Sequence, residues 1–177
     1  YPHKSIPGVD ALIPKFDYLK ENKDRVKAYI ITHGHDDKMG ALPYIYREIP
    51  APIVTTKFTA NIIEMYSNKV GINNKYNFIL IDGHEFLTIS GYRFHFTQVT
   101  HSIPFSFACS VETSQGNIIY TSDMIIDYNN LSPAFNSNGP FNVPILIFGP
   151  QISWSIPTLI PRAFEASFIL VIVDWWY

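Results

Sequence analysis

The segment "ITHGHDDKMGALP", residues 31–43, places two histidines and two aspartates within the five positions His33 to Asp37. It overlaps the end of "VKAYIIT" (26–32), a run of β-branched and aromatic residues that predicts a buried strand. Alternate residues of an extended loop face the same side, so His33 and His35 can direct both imidazoles into one cavity. Carboxylates beside imidazoles suit zinc and manganese. The segment predicts a metal site at a strand end; a polar surface loop is the alternative if nothing else in the chain supports a metal.

Two later residues do support a metal site. His101 stands in "QVTHSIP" after the predicted strand "YRFHFTQVT", and Asp123 stands in "YTSDM" after the predicted strand "NIIYT". Because each candidate follows a β-run, all of them can emerge along one rim of a sheet. The predicted ligand set has three imidazoles and one carboxylate, which suits a tetrahedral zinc shell: His33, His35, His101 and Asp123.

The remaining histidines and the cysteine fit a catalytic role poorly. His95 alternates with Tyr92, Phe94 and Phe96, so we expect it on the polar, solvated face of its strand. His84 lies in the turn "DGHE" and His3 near the first residue, which favours surface positions for both. Cys109 lies in an apolar strand pattern and is predicted to be a small buried residue rather than a nucleophile. A serine nucleophile has no support either, because the sequence contains no Gly-x-Ser-x-Gly elbow.

Composition bounds the class of protein. The 177 residues are 47% hydrophobic and carry a net charge of −2, values that are typical of one soluble domain with a real core. The charge pattern has no basic stripe of the kind found in many nucleic-acid binders. The single cysteine excludes an intrachain disulfide and a cysteine-based zinc site, and it favours a reducing compartment. We expect no signal peptide, because no charged segment followed by an apolar one opens the chain.

The order of predicted elements indicates an α/β fold. After the first strand, "MGALPYIYREI" predicts a helix, "APIVTT" a strand and "KFTANIIEMYSNK" a helix, a rhythm typical of parallel strands covered by helices. From Lys75 the period changes, and five closely spaced β-runs predict consecutive antiparallel strands, with a hairpin turn at 114–117. These runs are "KYNFILID", "EFLTI", "YRFHFTQVT", "FSFACSVET" and "NIIYTSD".

Residues 129–177 form an apolar, proline-rich tail to which the sequence assigns no function. The stretch from Phe141 to Pro161 has no charged residue and is about as long as a membrane span. Its prolines oppose a spanning helix, because each interior proline costs about 3 kcal/mol of helix stability. We therefore expect no membrane association.

The motifs taken together resemble a known family. "ITHGHDDKMGALPYIYREIPAPIVTTKFTANIIE" is similar to the first metal motif, His-x-His-x-Asp-His, and the following segment of the metallo-β-lactamase superfamily, specifically its ribonuclease J group. "VTHSIPFS" resembles the next histidine motif and "IIYTSDMIID" the aspartate motif. The resemblance covers residues 1–128, which it implies to be a partial metallo-β-lactamase domain. It implies a four-layer αββα sandwich, incomplete here, since no counterpart of the family's β-CASP domain or late ligand histidine is recognisable.

The resemblance also implies roles for individual residues. In that group one metal takes three histidines, here His33, His35 and His101, and a bridging aspartate, here Asp123, is shared with a second metal. The second metal takes Asp37, the residue at position 38 and a late histidine. Position 38 is a lysine, and an ammonium has no lone pair for a metal. We therefore expect one bound ion, zinc or alternatively manganese.

Lys38 has two interpretations. Its charge can lie between Asp37 and Asp123 and offset the repulsion that a second metal would otherwise quench, which we favour. In the other, it points to solvent from a decayed site.

The function that the resemblance implies is a metal-dependent ribonuclease of RNA processing or decay, cytoplasmic and weakened by Lys38. Asp37 would act as second-site ligand or proton shuttle, and Ser102 and Ser106 are candidate phosphate contacts. RNA is the expected partner, together with a homo- or hetero-oligomer formed with a ribonuclease J paralogue. One alternative is a catalytically weak paralogue that binds RNA or serves as partner subunit of an active ribonuclease. Another is a different hydrolase of the superfamily, acting on a thioester, lactam or phosphonate.

Overall fold

The computed structural model describes residue 9, residues 11–114, residues 116–124 and the backbone of two short strands at 145–148 and 170–173. The helices are α1 (Asp17–Glu21), α2 (Asp36–Met39), α3 (Leu42–Glu48) and α4 (Lys57–Lys69). The strands are β1 (Val26–Ile30), β2 (Ile53–Thr55), β3 (Phe78–Leu80), β4 (Phe86–Ile89), β5 (Tyr92–Gln98), β6 (Phe107–Thr113), β7 (Gly116–Tyr120), β8 (Ile145–Phe148) and β9 (Leu170–Val173). No helix in the described part of the chain has the length and apolarity needed to cross a membrane.

The first sheet has the strand order β3-β2-β1-β9. Strands β1, β2 and β3 run parallel, and β9 pairs antiparallel with β1. Helix α4 begins after Thr56, whose side chain accepts a hydrogen bond from the Thr59 N–H and so satisfies one of the free amides of the first turn. The predicted pair of parallel strands followed by helices is therefore confirmed.

The second sheet has the order β4-β5-β6-β7-β8. Its first four strands are joined antiparallel, and β8 pairs parallel with β7. The predicted hairpin between β6 and β7 is confirmed, since Thr113 pairs with Gly116 and donates its hydroxyl to the Gly116 carbonyl at 2.6 Å. The tail from residue 129 thus contributes one strand to each sheet, while its remaining residues lie outside the described part of the chain; the domain boundary at residue 128 stays a prediction.

Two clusters of buried side chains define the layers. Alternate residues of a strand point to opposite faces, so Tyr29 and Ile53 pack against helices while Ile30 and Val54 pack against the second sheet. All four helices contribute to the first cluster, through Leu19, Met39, Leu42 and Ile63 among others. The described residues therefore form a helical layer and two sheets, which confirms the α/β class. The fourth predicted layer, on the outer face of the second sheet, has no counterpart among them.

Two predicted elements are wrong in detail. The run "KYNFILID" was expected in an antiparallel set, but β3 lies in the first sheet, parallel to β2. The single helix predicted over "MGALPYIYREI" is divided, because α2 ends at Met39 and α3 begins at Leu42. Pro43 has no N–H to donate to the carbonyl four residues earlier, so the helical hydrogen-bond series is interrupted there.

Candidate metal centre

The His33–Lys38 loop lies where the two sheets meet. Just before it, the Ile31 N–H donates to the Val54 carbonyl at 3.0 Å, and the Thr32 carbonyl accepts from the Phe107 N–H at 3.3 Å, which ties the end of β1 to both sheets. Ile62 on α4 packs directly against Gly34, because a Cβ at position 34 would lie 2.5 Å from Ile62 Cδ1 and 3.3 Å from Ile62 Cβ. The loop is thus held between α4 and the start of β6.

The other two candidate ligands come from loops of the second sheet. His101 lies in the loop between β5 and β6, which is closed by a 2.9 Å hydrogen bond from the Val99 N–H to the Ser106 carbonyl. Asp123 follows β7 and comes directly after Ser122, whose φ of 57° turns the chain sharply. The Ser122 hydroxyl lies 2.6 Å from the Thr32 hydroxyl. This contact brings the aspartate loop against the histidine loop.

The structure brings the four predicted residues together. One ligand atom from each of His33, His35, His101 and Asp123 lies within 4.8 Å of the others. The imidazole rings approach one another edge-on, with centroids 4.5 Å apart for His33 and His101 and 4.9 Å apart for each of the other two pairs. Burial, reinforced by the neighbouring His35, lowers the pKa of His101. Three imidazoles beside a carboxylate match the donor set of a zinc-type site; their role as ligands stays a prediction.

The environment of His33 fits a bound cation. Its ring is fully buried, and burial, followed by the proximity of His101, lowers its pKa to about 4. The Nδ1 atom lies 3.1 Å from the Thr32 hydroxyl and 3.3 Å from the Ser122 hydroxyl. The Nε2 atom has no hydrogen-bond partner and lies 3.6 Å from a carboxylate oxygen of Asp123. If Nδ1 holds the proton, the lone pair of Nε2 faces the negatively charged carboxylate of Asp123. A cation bound between these two atoms would remove their repulsion.

Lys38 lies inside this centre. Its side chain is 2% exposed, and its Nζ atom lies 3.0 Å from Asp37 Oδ2 and 3.1 Å from Asp123 Oδ1. The ammonium therefore bridges the two carboxylates, which is the geometry favoured from the sequence. The interpretation that Lys38 points to solvent does not agree with its burial. Asp37 is 50% exposed and so lies at the rim of the centre.

The candidate phosphate contacts differ in their surroundings. Ser102 is exposed, and its hydroxyl lies 3.5 Å from His35 Nε2, so its predicted role stays open to test. Ser106 is fully buried and donates to the Ile103 carbonyl at 2.7 Å. The phosphate contact predicted for Ser106 is therefore wrong in this conformation, because its hydroxyl is committed to the loop and has no exposed surface.

Side chains outside the centre behave largely as expected. Cys109 is buried, and burial raises the pKa of its thiol to about 12, which agrees with a structural residue. His84 is exposed. His95 was expected to be solvated but is half-buried, with its ring stacked on Phe86 at a centroid distance of 4.4 Å. The alternating pattern of β5 correctly predicted which face of the strand carries His95. It could not predict the contact with Phe86, which lies on the neighbouring strand β4.

Thr32 and Ser122 were missed by the sequence analysis. Both are buried, and their hydroxyls position the His33 ring. Each stands immediately before a predicted ligand, and that adjacency is the only sequence signal that could have indicated them.

Comparison with known proteins identifies the family. The profile of the metallo-beta-lactamase superfamily matches residues 7–160. The chain belongs to the metallo-beta-lactamase superfamily. A solved structure of the same superfamily, Rm3 metallo-beta-lactamase, is 15% identical, with 65% of this chain and 48% of that chain covered and a TM-score of 0.45. That score adds nothing to the assignment, which depends on the sequence profile.

Within the metallo-beta-lactamase superfamily the chain is similar to ribonucleases, which confirms the resemblance drawn from its motifs. It is 35% identical over 128 residues to "Ribonuclease J 2" of Streptococcus pyogenes and 32% identical over 127 residues to "Ribonuclease J 2" of Staphylococcus saprophyticus. Each match covers 72% of this chain and 23% of the relative. The chain thus spans less than a quarter of the length of the curated relatives it matches.

Proposed function

We propose that this chain carries the catalytic centre of a metal-dependent hydrolase that cleaves phosphodiester bonds of RNA, as a ribonuclease J-like enzyme. The observation that carries the proposal is the convergence of three imidazoles and the Asp123 carboxylate, with ligand atoms within 4.8 Å of one another. Superfamily membership supports hydrolase chemistry, and the similarity to proteins named Ribonuclease J 2 supports RNA as the substrate. A fold alone does not determine a substrate, so RNA hydrolysis is the part to be tested.

The residues divide the work as follows. His33, His35 and His101 would hold one divalent ion, zinc or manganese, and Asp123 would supply an oxygen ligand. When bound, such an ion supplies Lewis-acid chemistry that makes water acidic enough to react near neutral pH. The hydroxyls beside His33 Nδ1 orient that ring, as partners behind metal-binding histidines commonly do.

Asp37 serves as the proton shuttle. Its carboxylate is half exposed and so can be reached from solvent, and Lys38 Nζ lies 3.0 Å from one of its oxygens. Lys38 also holds Asp123, which leaves that residue's other oxygen toward His33. We also assign a phosphate contact to the Ser102 hydroxyl, because it is exposed and lies 3.5 Å from His35 Nε2.

The test is hydrolysis of 5′-monophosphorylated RNA by the purified chain with added zinc or manganese. We expect slow cleavage that chelation by EDTA abolishes. His33→Ala should remove both cleavage and bound metal, whereas His95→Ala, a histidine on the outer face of β5, should change neither. Complete inertness toward RNA alongside turnover of a thioester, lactam or phosphonate would replace this proposal with another hydrolase of the superfamily.

A second candidate function is favoured by one observation, the buried ammonium of Lys38 between two carboxylates. In this alternative the chain is a catalytically weak paralogue that binds RNA or pairs with an active, cytoplasmic ribonuclease. Lys38→His separates the two candidates. A gain in RNA hydrolysis with a second bound ion supports a centre that differs from an active one only at this position, whereas unchanged hydrolysis favours the partner role.

A further inference from the structure

Two phenylalanine rings lie together on the surface beside the metal centre. Phe58 is 37% exposed and Phe105 is 54% exposed, although both are large apolar side chains. Their ring centroids are 6.2 Å apart and their planes are inclined by 53°. Isolated exposed apolar residues are ordinary, but these two come from distant parts of the chain and form one aromatic surface.

Two segments of the chain connect this aromatic surface to the metal centre. Phe105 lies in the loop between β5 and β6, four residues after the proposed ligand His101. Phe58 lies one helical turn before Ile62, and Ile62 is the residue that packs against Gly34 between the two histidines of the first motif. Phe105 therefore shares a loop with a proposed ligand, and Phe58 lies on the helix that packs against the first motif, so we expect a chain bound at the centre to pass close to both rings.

The backbone of Phe105 argues against a merely structural role. Its φ is 60°, in the left-handed region that a bulky residue rarely adopts and that costs about 1–3 kcal/mol. Glycine would meet this requirement without strain. The Phe105 side chain is more than half exposed, so burial offsets little of that cost. Strained backbone positions of this kind cluster at active sites and ligand contacts, which favours a ligand-binding role for Phe105.

The charge beside the aromatic surface favours an anionic chain as the ligand. Lys57 is exposed and directly precedes Phe58, at the first turn of a 13-residue helix whose free amides also attract anions. Positive charge next to exposed aromatic rings is the combination by which proteins bind single-stranded nucleic acid, with bases stacked on the rings and phosphates near the cation.

We propose that Phe58 and Phe105 form a stacking surface for one nucleobase of single-stranded RNA bound with its backbone at the metal centre. This inference rests on the proposed function for its choice of RNA. Phe105 supplies the more exposed face, Phe58 supports its edge, and Lys57 lies beside the adjoining phosphate. Stacking of this kind tolerates all four bases, because each has a π-face.

The test compares the binding of two RNAs by four variants of the chain. Fluorescence anisotropy gives the Kd of a short single-stranded RNA and of the same RNA with abasic sites in place of its bases, with a gel to check that the RNA stays intact. Phe105→Ala and Phe58→Ala should each raise the Kd of the ordinary RNA by about 5- to 100-fold. Phe105→Trp should restore tight binding. Phe86→Ala, at an exposed phenylalanine on β4 that is 49% exposed, is the matched control and should leave the Kd unchanged.

The abasic RNA separates stacking from loop damage. The wild-type chain should bind it weakly, and Phe105→Ala should weaken that binding no further. Equal loss on both RNAs would overturn the proposal, because Phe105 would then only support the loop. An unchanged Kd together with altered self-association would also overturn it and identify the rings as a protein contact.

The same measurements distinguish this inference from the proposed function. Binding that depends on Phe105 without any RNA hydrolysis supports the stacking surface and contradicts the nuclease. Metal-dependent hydrolysis together with an unchanged Kd in both alanine variants supports the nuclease and contradicts the stacking surface. A wild-type chain that binds no RNA contradicts both.

Discussion

Replacement of Lys38 by methionine tests the ion pairs that Lys38 forms with Asp37 and Asp123. Methionine keeps most of the volume and removes the charge, so that Asp37 and Asp123 face each other without a cation. Breaking a fully buried ion pair costs about 3–5 kcal/mol. Here the ammonium is 2% exposed but the carboxylates are 50% and 26% exposed, so solvent screens part of the repulsion. We expect the metal-free variant to lose about 2 kcal/mol of unfolding free energy, or about 4–8 °C in Tm.

Thermal and urea unfolding in EDTA measure this loss. Lys15→Met is the matched control, because Lys15 also lies 3.0 Å from a carboxylate but both partners are largely exposed; it should have no measurable effect. Addition of zinc or manganese should recover part of the stability of Lys38→Met, since a divalent ion can enter between the carboxylates. A Tm for Lys38→Met equal to that of the wild type in EDTA would refute the reasoning that the ammonium holds the two aspartates together.

Three further outcomes follow from single sites. Elemental analysis should find close to one metal ion per wild-type chain and none in His33→Ala. Two tightly held ions in the wild type would contradict the expectation that Lys38 prevents binding of a second metal. Gly34→Ala should cost about 1–3 kcal/mol in urea unfolding, because the new methyl group meets Ile62 Cδ1 at 2.5 Å, and Ile62→Val in the same chain should recover most of it. Cys109 should react with thiol reagents only as fast as the chain unfolds, since burial holds its pKa at about 12; rapid labelling of folded protein would show that β6 opens locally.

The sequence predicts the parts of this fold whose signals are local. The α4 helix was predicted with its observed bounds, since Thr56 provides the cap and Ala60 and Ile63 form the buried stripe. The β6–β7 hairpin was found because Gly116 marks its turn. Strand β3 was recognised as a strand but placed with the wrong neighbours. A short apolar run carries no information on which strand will pair with it; that choice depends on tertiary contacts, such as the packing of Phe78 against the helical cluster.

The candidate site divides in the same way. His33 and His35 are separated by one residue, so their shared direction follows from the alternation of side chains along an extended segment. His101 and Asp123 were candidates because each follows a predicted strand, but their loops meet the first motif only through contacts between sheets, such as the one from Thr32 to Ser122. No local pattern encodes such a contact. The burial of Ser106 was missed for the same reason, as it is set by the closure of its loop.

If the chain hydrolyses RNA as proposed, the chemistry of position 38 predicts a lower rate than that of a two-metal centre. An ammonium has three donors, and two of them are directed at Asp37 and Asp123, so at most one remains for a substrate oxygen. A second divalent ion would bring twice the charge, and two-metal sites stabilise both the attacking and the leaving oxygen of a displacement at phosphorus. Lys38 therefore maintains the geometry of the carboxylates but supplies little stabilisation to the extra negative charge of the transition state. We therefore expect Lys38 to affect the rate of RNA hydrolysis far more than the affinity for RNA. A Lys38→His variant that binds RNA more tightly but hydrolyses it no faster would show that the ammonium does not limit the rate.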